Sequence, residues 1–141
     1  MSYSILIVDD SLPMRSVIKR TLKAAGYTNS ELLEAANGEE ALALMKKSWI
    51  DIVLTDYNMP VMNGLEFIKA LKVDDLSKEI PVVVISTEGN ESKIKEFMDC
   101  GAAGYITKPF TAEAIRDLIV TILGEVDYED AVDDSDTDFD F

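Results

Sequence analysis

Three acidic residues and one lysine stand directly after short apolar runs in the sequence. Asp9 and Asp10 follow SILIV, Asp56 follows IVLT, and Lys108 follows GYIT. The carboxyl ends of parallel strands meet at one edge of a sheet, so side chains in these positions converge. Three carboxylates shielded from water repel one another strongly and require a cation nearby. Because Mg²⁺ prefers oxygen ligands and uses few carboxylates, the pattern favours a Mg²⁺ site.

Phosphoryl transfer is the chemistry that this set of residues fits. A carboxylate can attack phosphorus as a nucleophile, while a metal ion and a lysine neutralise the phosphoryl oxygens. Taken singly, each residue has a plainer interpretation, since Asp often caps a helix or forms a turn and Lys is usually solvated. Convergence from separate strands makes the site the stronger hypothesis.

Two alternating periodicities place these residues in an α/β fold. Short apolar runs, mostly β-branched, lie at 4–8, 31–35, 51–55, 81–86 and 104–107. Near-continuous apolar character is typical of strands buried on both faces of a parallel sheet. Helical patterns lie between the runs, so the predicted order is βαβαβαβαβα. That order implies right-handed crossovers and a three-layer sandwich.

The helical segments carry boundary signals. Asn37 and Thr111 are the predicted N-caps of the second and fifth helices. We expect Trp49 to pack in the core or at an interface. We expect the first helix to stop at Gly26 and to bury one face, which consists of Met14, Val17, Ile18, Thr21 and Leu22.

Composition excludes several functional classes. Nine of the 14 net negative charges lie in residues 125–141, which leaves −5 for residues 1–124. No cluster of Lys and Arg is present, so we expect no nucleic-acid binding. One cysteine and no histidine exclude an intrachain disulfide and a His–Cys site. Without a signal peptide or an apolar run of about 20 residues, we expect a cytoplasmic protein that does not bind membranes.

Two parts are predicted along the chain: a domain over residues 1–124 and an acidic tail over 125–141. Dense like charge and few apolar residues are typical of disorder, which is the expectation for the tail. Tyr128, Phe139 and Phe141 alternate with acidic residues there. The alternative is therefore that the tail docks on a basic groove of a partner.

In its motifs, the sequence resembles the receiver domains of two-component response regulators, and most closely the CheY-like receivers that lack an effector domain. The resemblance spans residues 4–124 and rests on Asp9-Asp10, Asp56-x-x-Met59-Pro60-x-x-x-Gly64, Ser86 and Lys108-Pro109-Phe110. It implies a flavodoxin-like fold, with a five-stranded parallel sheet in the order 2-1-3-4-5 and five helices. It also implies a cis peptide bond before Pro109.

The resemblance implies a role in phosphorylation for each residue of the acidic group. Asp56 would accept a phosphoryl group from a phosphohistidine on a sensor histidine kinase, whether CheA-like or another. Asp10 and Asp56 would bind Mg²⁺ directly, Asp9 mostly through water, and Asn58 through its backbone carbonyl. Lys108 would pair with the phosphoryl oxygens.

Further residues would report and limit the phosphorylated state. Ser86 would turn its hydroxyl toward the phosphoryl group, and Tyr105 would swing inward to fill the vacated space. This switch would alter the face built by the fourth helix, fifth strand and fifth helix, where an output protein binds. Asn58, Thr87 and Glu88 would tune dephosphorylation. Thr87 stands where the family usually has Ala or Gly, and we expect its bulk to slow entry to the pocket.

The expected function is that of a monomeric phosphoacceptor in signalling, with chemotaxis as one candidate process. We expect self-phosphorylation from small donors and slow autodephosphorylation, but no enzymatic turnover of an external substrate. Two related alternatives stay open: a phosphorelay intermediate that passes the group to a histidine phosphotransfer protein, and a pseudo-receiver scaffold.

Two unrelated functions are disfavoured by the residues after the first strand. A hydrolase with an Asp nucleophile would carry an Asp-x-Asp run there. A flavin or nucleotide module would carry a phosphate-binding loop rich in Gly or Ser/Thr. The sequence has Asp9-Asp10-Ser11 instead, which fits neither.

Overall fold

The computed structural model describes residues 3–87 and 89–124. Strands and helices alternate in the order β1(Ser4–Val8), α1(Leu12–Ala24), β2(Glu31–Ala35), α2(Gly38–Lys47), β3(Ile52–Thr55), α3(Gly64–Lys72), β4(Val82–Ser86), α4(Glu91–Asp99), β5(Gly104–Thr107) and α5(Ala112–Leu123). The predicted alternation is confirmed. Predictions for Glu88 and for residues 125–141 fall outside the described residues.

All five strands are parallel and lie in the order β2-β1-β3-β4-β5, which confirms the predicted fold class. The register places the last residues of neighbouring strands side by side. Val8 of β1 is opposite Ala35 on one side and Thr55 on the other. Ser86, the last residue of β4, is opposite Thr107 of β5. The residues that follow these strands therefore emerge at one edge of the sheet.

Apolar side chains cover both faces of the sheet and form two cores. In β1, Leu6 and Val8 face one core and Ile5 and Ile7 face the other, and all four are fully buried. Helices α2, α3 and α4 close the first core, around Phe67 and Phe97 among others. Helices α1 and α5 close the second. Each core stabilises the fold through the apolar area that it removes from water.

Helix ends follow the predicted signals. Asn37 and Thr111 accept hydrogen bonds from the amides of Glu40 and Ala114, as N-caps do. Helix α1 ends just before Gly26, whose φ of +107° suits glycine. Lys108–Pro109 is the cis peptide bond that the resemblance implied. None of the helices in the described ranges is long and apolar enough to cross a membrane.

Two apolar side chains lie where the pattern did not place them. Val17 was predicted on the buried face of α1 but is 39% exposed, because it lines a groove between α1 and the β5–α5 loop, about 100° around the helix from the buried Ile18. Trp49 is 78% exposed, so it does not pack in the core, and its packing at an interface stays a prediction. Its indole N–H donates to the Asp51 carboxylate at 2.9 Å, which satisfies the polar end of the ring.

Candidate functional site

Three carboxylates lie together at the carboxyl edge of the sheet. One oxygen from each of Asp9, Asp10 and Asp56 lies within 4.8 Å of the other two. Strand pairing causes this arrangement, because Val8 and Thr55, the last residues of β1 and β3, are register partners. The Asp56 amide also donates to the Val8 carbonyl at 2.9 Å, so the ladder continues to the acidic residues.

Lys108 places an ammonium group between two of these carboxylates. Its Nζ lies 3.5 Å from Asp9 Oδ2 and 3.5 Å from Asp56 Oδ1, and 14% of the lysine side chain is exposed. The Lys108 amide donates to the Ser86 carbonyl at 2.8 Å, which extends the pairing of β5 with β4 by one residue. When all four side chains are ionised, the group carries a net charge of −2. A pocket with this residual charge favours an added cation.

Burial and neighbouring charges act in opposite directions on Asp56. Burial raises the pKa of its carboxyl, because the ionised form loses hydration. The Lys108 ammonium lowers the pKa, the Asp9 carboxylate raises it, and the outcome is a pKa above the usual range. The isolated protein therefore holds Asp56 in an electrostatically unfavourable state that a bound cation would relieve.

The hydrogen bonding of the Asp9 carboxylate indicates whether these residues fit a metal ion. Its Oδ1 accepts the Ser11 amide at 2.8 Å, but its buried Oδ2 has no hydrogen-bond partner among the described residues. A buried carboxylate oxygen without a hydrogen bond is costly, and a cation would satisfy it. Asp10 and Asn58 line an open cleft beside it, where water can complete a coordination shell. The donor set therefore fits Mg²⁺.

An ion-pair network outside the predicted site supports the Asp9 backbone. The Arg15 guanidinium donates to the Asp9 carbonyl and, at 2.8 Å, to the Glu34 carboxylate. Lys19 donates to the other Glu34 oxygen at 2.8 Å. These hydrogen bonds, from Lys19 and then Arg15, lower the pKa of Glu34. We did not predict the network, because it joins α1 to β2 and no spacing along the chain indicates it.

Comparison with a family model and with known proteins identifies the family to which this chain belongs. A family model described as the response regulator receiver domain matches residues 5–120. The chain belongs to this receiver family. Chemotaxis protein CheY1 of Helicobacter pylori is 40% identical over 124 residues, which cover 87% of this chain and 98% of that protein.

Solved structures show the same likeness. Chemotaxis protein CheY4 of Vibrio cholerae has a TM-score of 0.78 at 37% identity, covering 87% of this chain and 100% of that one. A receiver domain of a sensor histidine kinase from Pseudomonas aeruginosa has a TM-score of 0.78 at 19% identity, covering 89% and 100%. That structure has a magnesium ion coordinated in the active-site cleft. Receiver domains bind Mg²⁺ at an acidic pocket, and Asp9, Asp10 and Asp56 form such a cluster here.

The predicted switch residues of this receiver lie on the strands next to the acidic pocket. Ser86 is 1% exposed at the end of β4, and Thr87 follows it beside Lys108. Tyr105, in β5, is half-buried, and its ring centroid lies 5.7 Å from that of Phe97. The structure places these residues near one another, and their roles in switching stay predictions.

An aromatic row that we did not predict connects the receiver's acidic pocket with Tyr105. Phe97 of α4 packs edge-on against Tyr57 at 5.2 Å, and Tyr57 directly follows Asp56. Lys93 of α4 donates to the Tyr57 hydroxyl at 3.1 Å, and this hydrogen bond raises the Lys93 pKa. The loop after Asp56 is therefore in direct packing contact with α4.

Gly64 is required by the tight loop that follows Asp56. A Cβ on Gly64 would lie 2.6 Å from the Asp56 carbonyl oxygen and 3.1 Å from Tyr57 Cα, and neither backbone atom can move alone. We expect Gly64→Ala to lower the free energy of unfolding by about 1–3 kcal/mol, as overpacking does. Urea denaturation measures the loss. Gly89→Ala is the matched control, because its Cβ would meet Thr107 at an ordinary 3.5 Å. Equal losses in the two variants would contradict this explanation.

In the absence of Mg²⁺, we expect Asp56→Asn to stabilise the fold by an amount that grows with pH. The folded state raises the Asp56 pKa, so between the unfolded and folded pKa values the folded chain binds more protons. The contribution of Asp56 to wild-type stability therefore falls as pH rises from the usual Asp pKa of about 4 through the raised value. Urea denaturation in EDTA across this range, with variant and wild type compared at each pH, measures the difference. A difference that is constant with pH would contradict the expectation.

Proposed function

We propose that this receiver accepts a phosphoryl group on Asp56, with Mg²⁺ held by Asp9, Asp10, Asp56 and the Asn58 carbonyl. The observation that carries the proposal is the convergence of three carboxylate oxygens within 4.8 Å, with Lys108 Nζ 3.5 Å from two of the carboxylates. An ordinary acidic turn does not bury an Asp9 oxygen that accepts no hydrogen bond from a described residue and lies 3.5 Å from a lysine ammonium.

In the proposed step, an Asp56 carboxylate oxygen attacks phosphorus and forms an O–P bond. The P–N bond of a phosphohistidine breaks, and the imidazole nitrogen leaves with the electron pair. Lys108 binds a phosphoryl oxygen, because its ammonium already lies 3.5 Å from Asp56 Oδ1. Bound Mg²⁺ supplies further neutralisation of the phosphoryl charge. Hydrolysis of the acyl phosphate by water then restores the carboxylate, with Asn58, Thr87 and Glu88 tuning its rate.

The proposed output is a change in protein binding. Attraction of the Ser86 hydroxyl to the phosphoryl group would favour an inward position of Tyr105, whose ring packs against Phe97 of α4. The face of α4, β5 and α5 would then bind an output protein in one state better than in the other. CheY-like receivers interact with histidine kinases and output proteins. We propose the same for this chain, as a cytoplasmic monomer, with chemotaxis as the process suggested by its relatives.

The test is incubation with acetyl phosphate, with and without Mg²⁺, followed by intact mass measurement. We expect a single phosphoryl adduct that needs Mg²⁺, survives acid and is lost in base, as an acyl phosphate is. Release of inorganic phosphate should stay slow, since this protein is proposed as a phosphoacceptor and not as an enzyme. No adduct, together with no binding of beryllofluoride, would overturn the proposal in favour of a scaffold. Transfer from the adduct to a histidine phosphotransfer protein would instead identify a relay intermediate.

A further inference from the structure

An apolar groove beside the acidic pocket has no partner among the described residues. One wall is a stripe of α1 and the other is the β5–α5 loop; the lining residues are Met14, Val17, Thr21, Pro109 and Phe110. The volume of this α1 groove is about 280 Å³. Its upper end is formed by Thr87 and Lys108, so it opens directly beside the phosphoryl-accepting site.

The α1 side of the groove is basic, although the protein has a net charge of −14 and the acidic pocket lies at the Lys108 end of the groove. Helix α1 contains four basic residues and no acidic one. Two of them are bound to Glu34, but Arg20 and Lys23 are exposed and form no ion pair with a described residue. Arg20 lies one helical turn beyond Val17, on the rim of the groove.

Helix α5 adds one exposed base, Arg116, which stands among the exposed Glu113 and Asp117. Arg116, also exposed, lines a neighbouring hollow between the end of α1 and the start of α5. Glu113 is the one acidic residue in the lining of that hollow. The hollow is therefore close to neutral, and the charge preference comes from Arg20 and Lys23 of α1. An occupant of the groove that follows these two residues would be acidic and would carry apolar side chains for the groove itself.

Residues 125–141 of the chain have this composition. They contain nine acidic residues and no basic one, with Phe139 and Phe141 near the end. We propose that this tail docks in cis on the α1 groove, with Phe139 and Phe141 in the groove and the acidic residues along Arg20, Lys23 and Arg116.

The reach of the tail agrees with this assignment. The tail leaves the described structure at Gly124, after α5, whereas the groove lies at Phe110, just before α5. The two points are separated by about the length of the 12-residue helix, ~18 Å. Tyr128, four residues from Gly124, reaches only ~14 Å, but Phe139 reaches ~50 Å when extended. The distal aromatic pair can therefore enter the groove without strain.

Docking has a consequence that rests on the proposed function. Because Lys108 and Thr87 form one end of the groove, a docked tail covers the approach to Asp56 from the α1 side. The tail would then compete with a phosphodonor and slow phosphorylation. Substitutions that abolish docking should therefore remove this competition with the phosphodonor.

The test compares amide NMR spectra of the full chain and its Phe139→Ser/Phe141→Ser variant, without any phosphodonor. We expect shift differences at Val17, Thr21 and Phe110, and the same differences when wild type is moved to about 1 M salt, where charges are screened beyond ~3 Å. Arg20→Glu should reproduce the difference at Phe110, on the opposite wall of the groove, and Lys47→Glu, at an exposed lysine of α2, should not. Differences confined to the tail, or centred on the exposed Trp49, would overturn the proposal.

Two further measurements test docking in cis and the covering of Asp56 separately. Differences that disappear on dilution would show docking between molecules and overturn docking in cis. Phosphorylation by acetyl phosphate should be faster in the double variant; equal rates would overturn the covering of Asp56. The NMR result needs no phosphorylation, so failure of the proposed function and failure of docking are distinguishable.

Discussion

Asp56→Asn is expected to abolish formation of the phosphoryl adduct while the protein stays folded. Asn has the same shape, but its amide oxygen is a poor nucleophile and carries no charge to help hold Mg²⁺. The Asp56 amide still donates to the Val8 carbonyl, so the end of β3 keeps its position. The measurement is intact mass after incubation with acetyl phosphate and Mg²⁺, and the expected fraction of adduct is zero within error.

Asp51→Asn is the matched control for this experiment. Asp51 directly precedes β3, whereas Asp56 directly follows it, so the two carboxylates lie at opposite ends of one strand. Asp51 accepts the Ser4 amide at 2.7 Å and takes no part in the acidic pocket. The control variant should form adduct at the wild-type rate. Adduct on Asp56→Asn at a comparable level would move the phosphoacceptor to another residue and remove the main support of the proposed function.

Lys108→Met is expected to have the second largest effect. It should slow phosphorylation of Asp56 but tighten the binding of Mg²⁺. Loss of a preorganised positive charge at the phosphoryl oxygens should slow phosphorylation by about 10²–10³-fold. Removal of the same charge from within 3.5 Å of Asp9 and Asp56 should tighten Mg²⁺ binding, by about tenfold or more. Mass measured over time gives the rate, and calorimetric titration gives the Mg²⁺ affinity.

Lys95→Met provides the control, because Lys95 is exposed on α4 and pairs with Asp99 at 2.9 Å. An exposed pair of this kind contributes little, so neither rate nor Mg²⁺ affinity should change. If Lys108→Met weakened Mg²⁺ binding, the lysine would be supporting the shape of the pocket and not its charge balance. A merely structural loss would also appear in the far-ultraviolet circular dichroism of the variant.

The α1 groove lies on the helix that also supports the Asp9 backbone. The Arg15–Glu34 network holds the Asp9 backbone from one side of α1, and the groove lies on another side of the same helix. A partner or tail that presses on α1 therefore acts close to both the Mg²⁺ ligands and Lys108. Docking on α1 is therefore expected to change the rate of phosphorylation through its effect on these residues.

Local properties of the sequence determined the main strands, the helix caps and the residue types of the acidic site. The apolar runs that became β1, β3 and β4 were recognisable because strands buried on both faces leave almost no polar positions. Caps such as Asn37 and Thr111 act within one turn, so their residue types sufficed. The residues at the strand ends predicted an acidic group with a lysine, because parallel strands bring their carboxyl ends to one edge. The strand order itself came from the family resemblance.

Only the tertiary structure decided which residues meet across elements. The Arg15–Glu34 pair joins α1 to β2, and the row from Tyr57 through Phe97 to Tyr105 joins three separate segments. The exposure of Val17 depends on where the β5–α5 loop leaves a groove. Asp9 Oδ2 accepts no hydrogen bond from the described residues, although Lys108 Nζ lies 3.5 Å away, because no donor is placed within reach. Periodicity specifies which face of an element is apolar, but contacts between distant residues follow from how the layers pack, and no spacing along the chain encodes them.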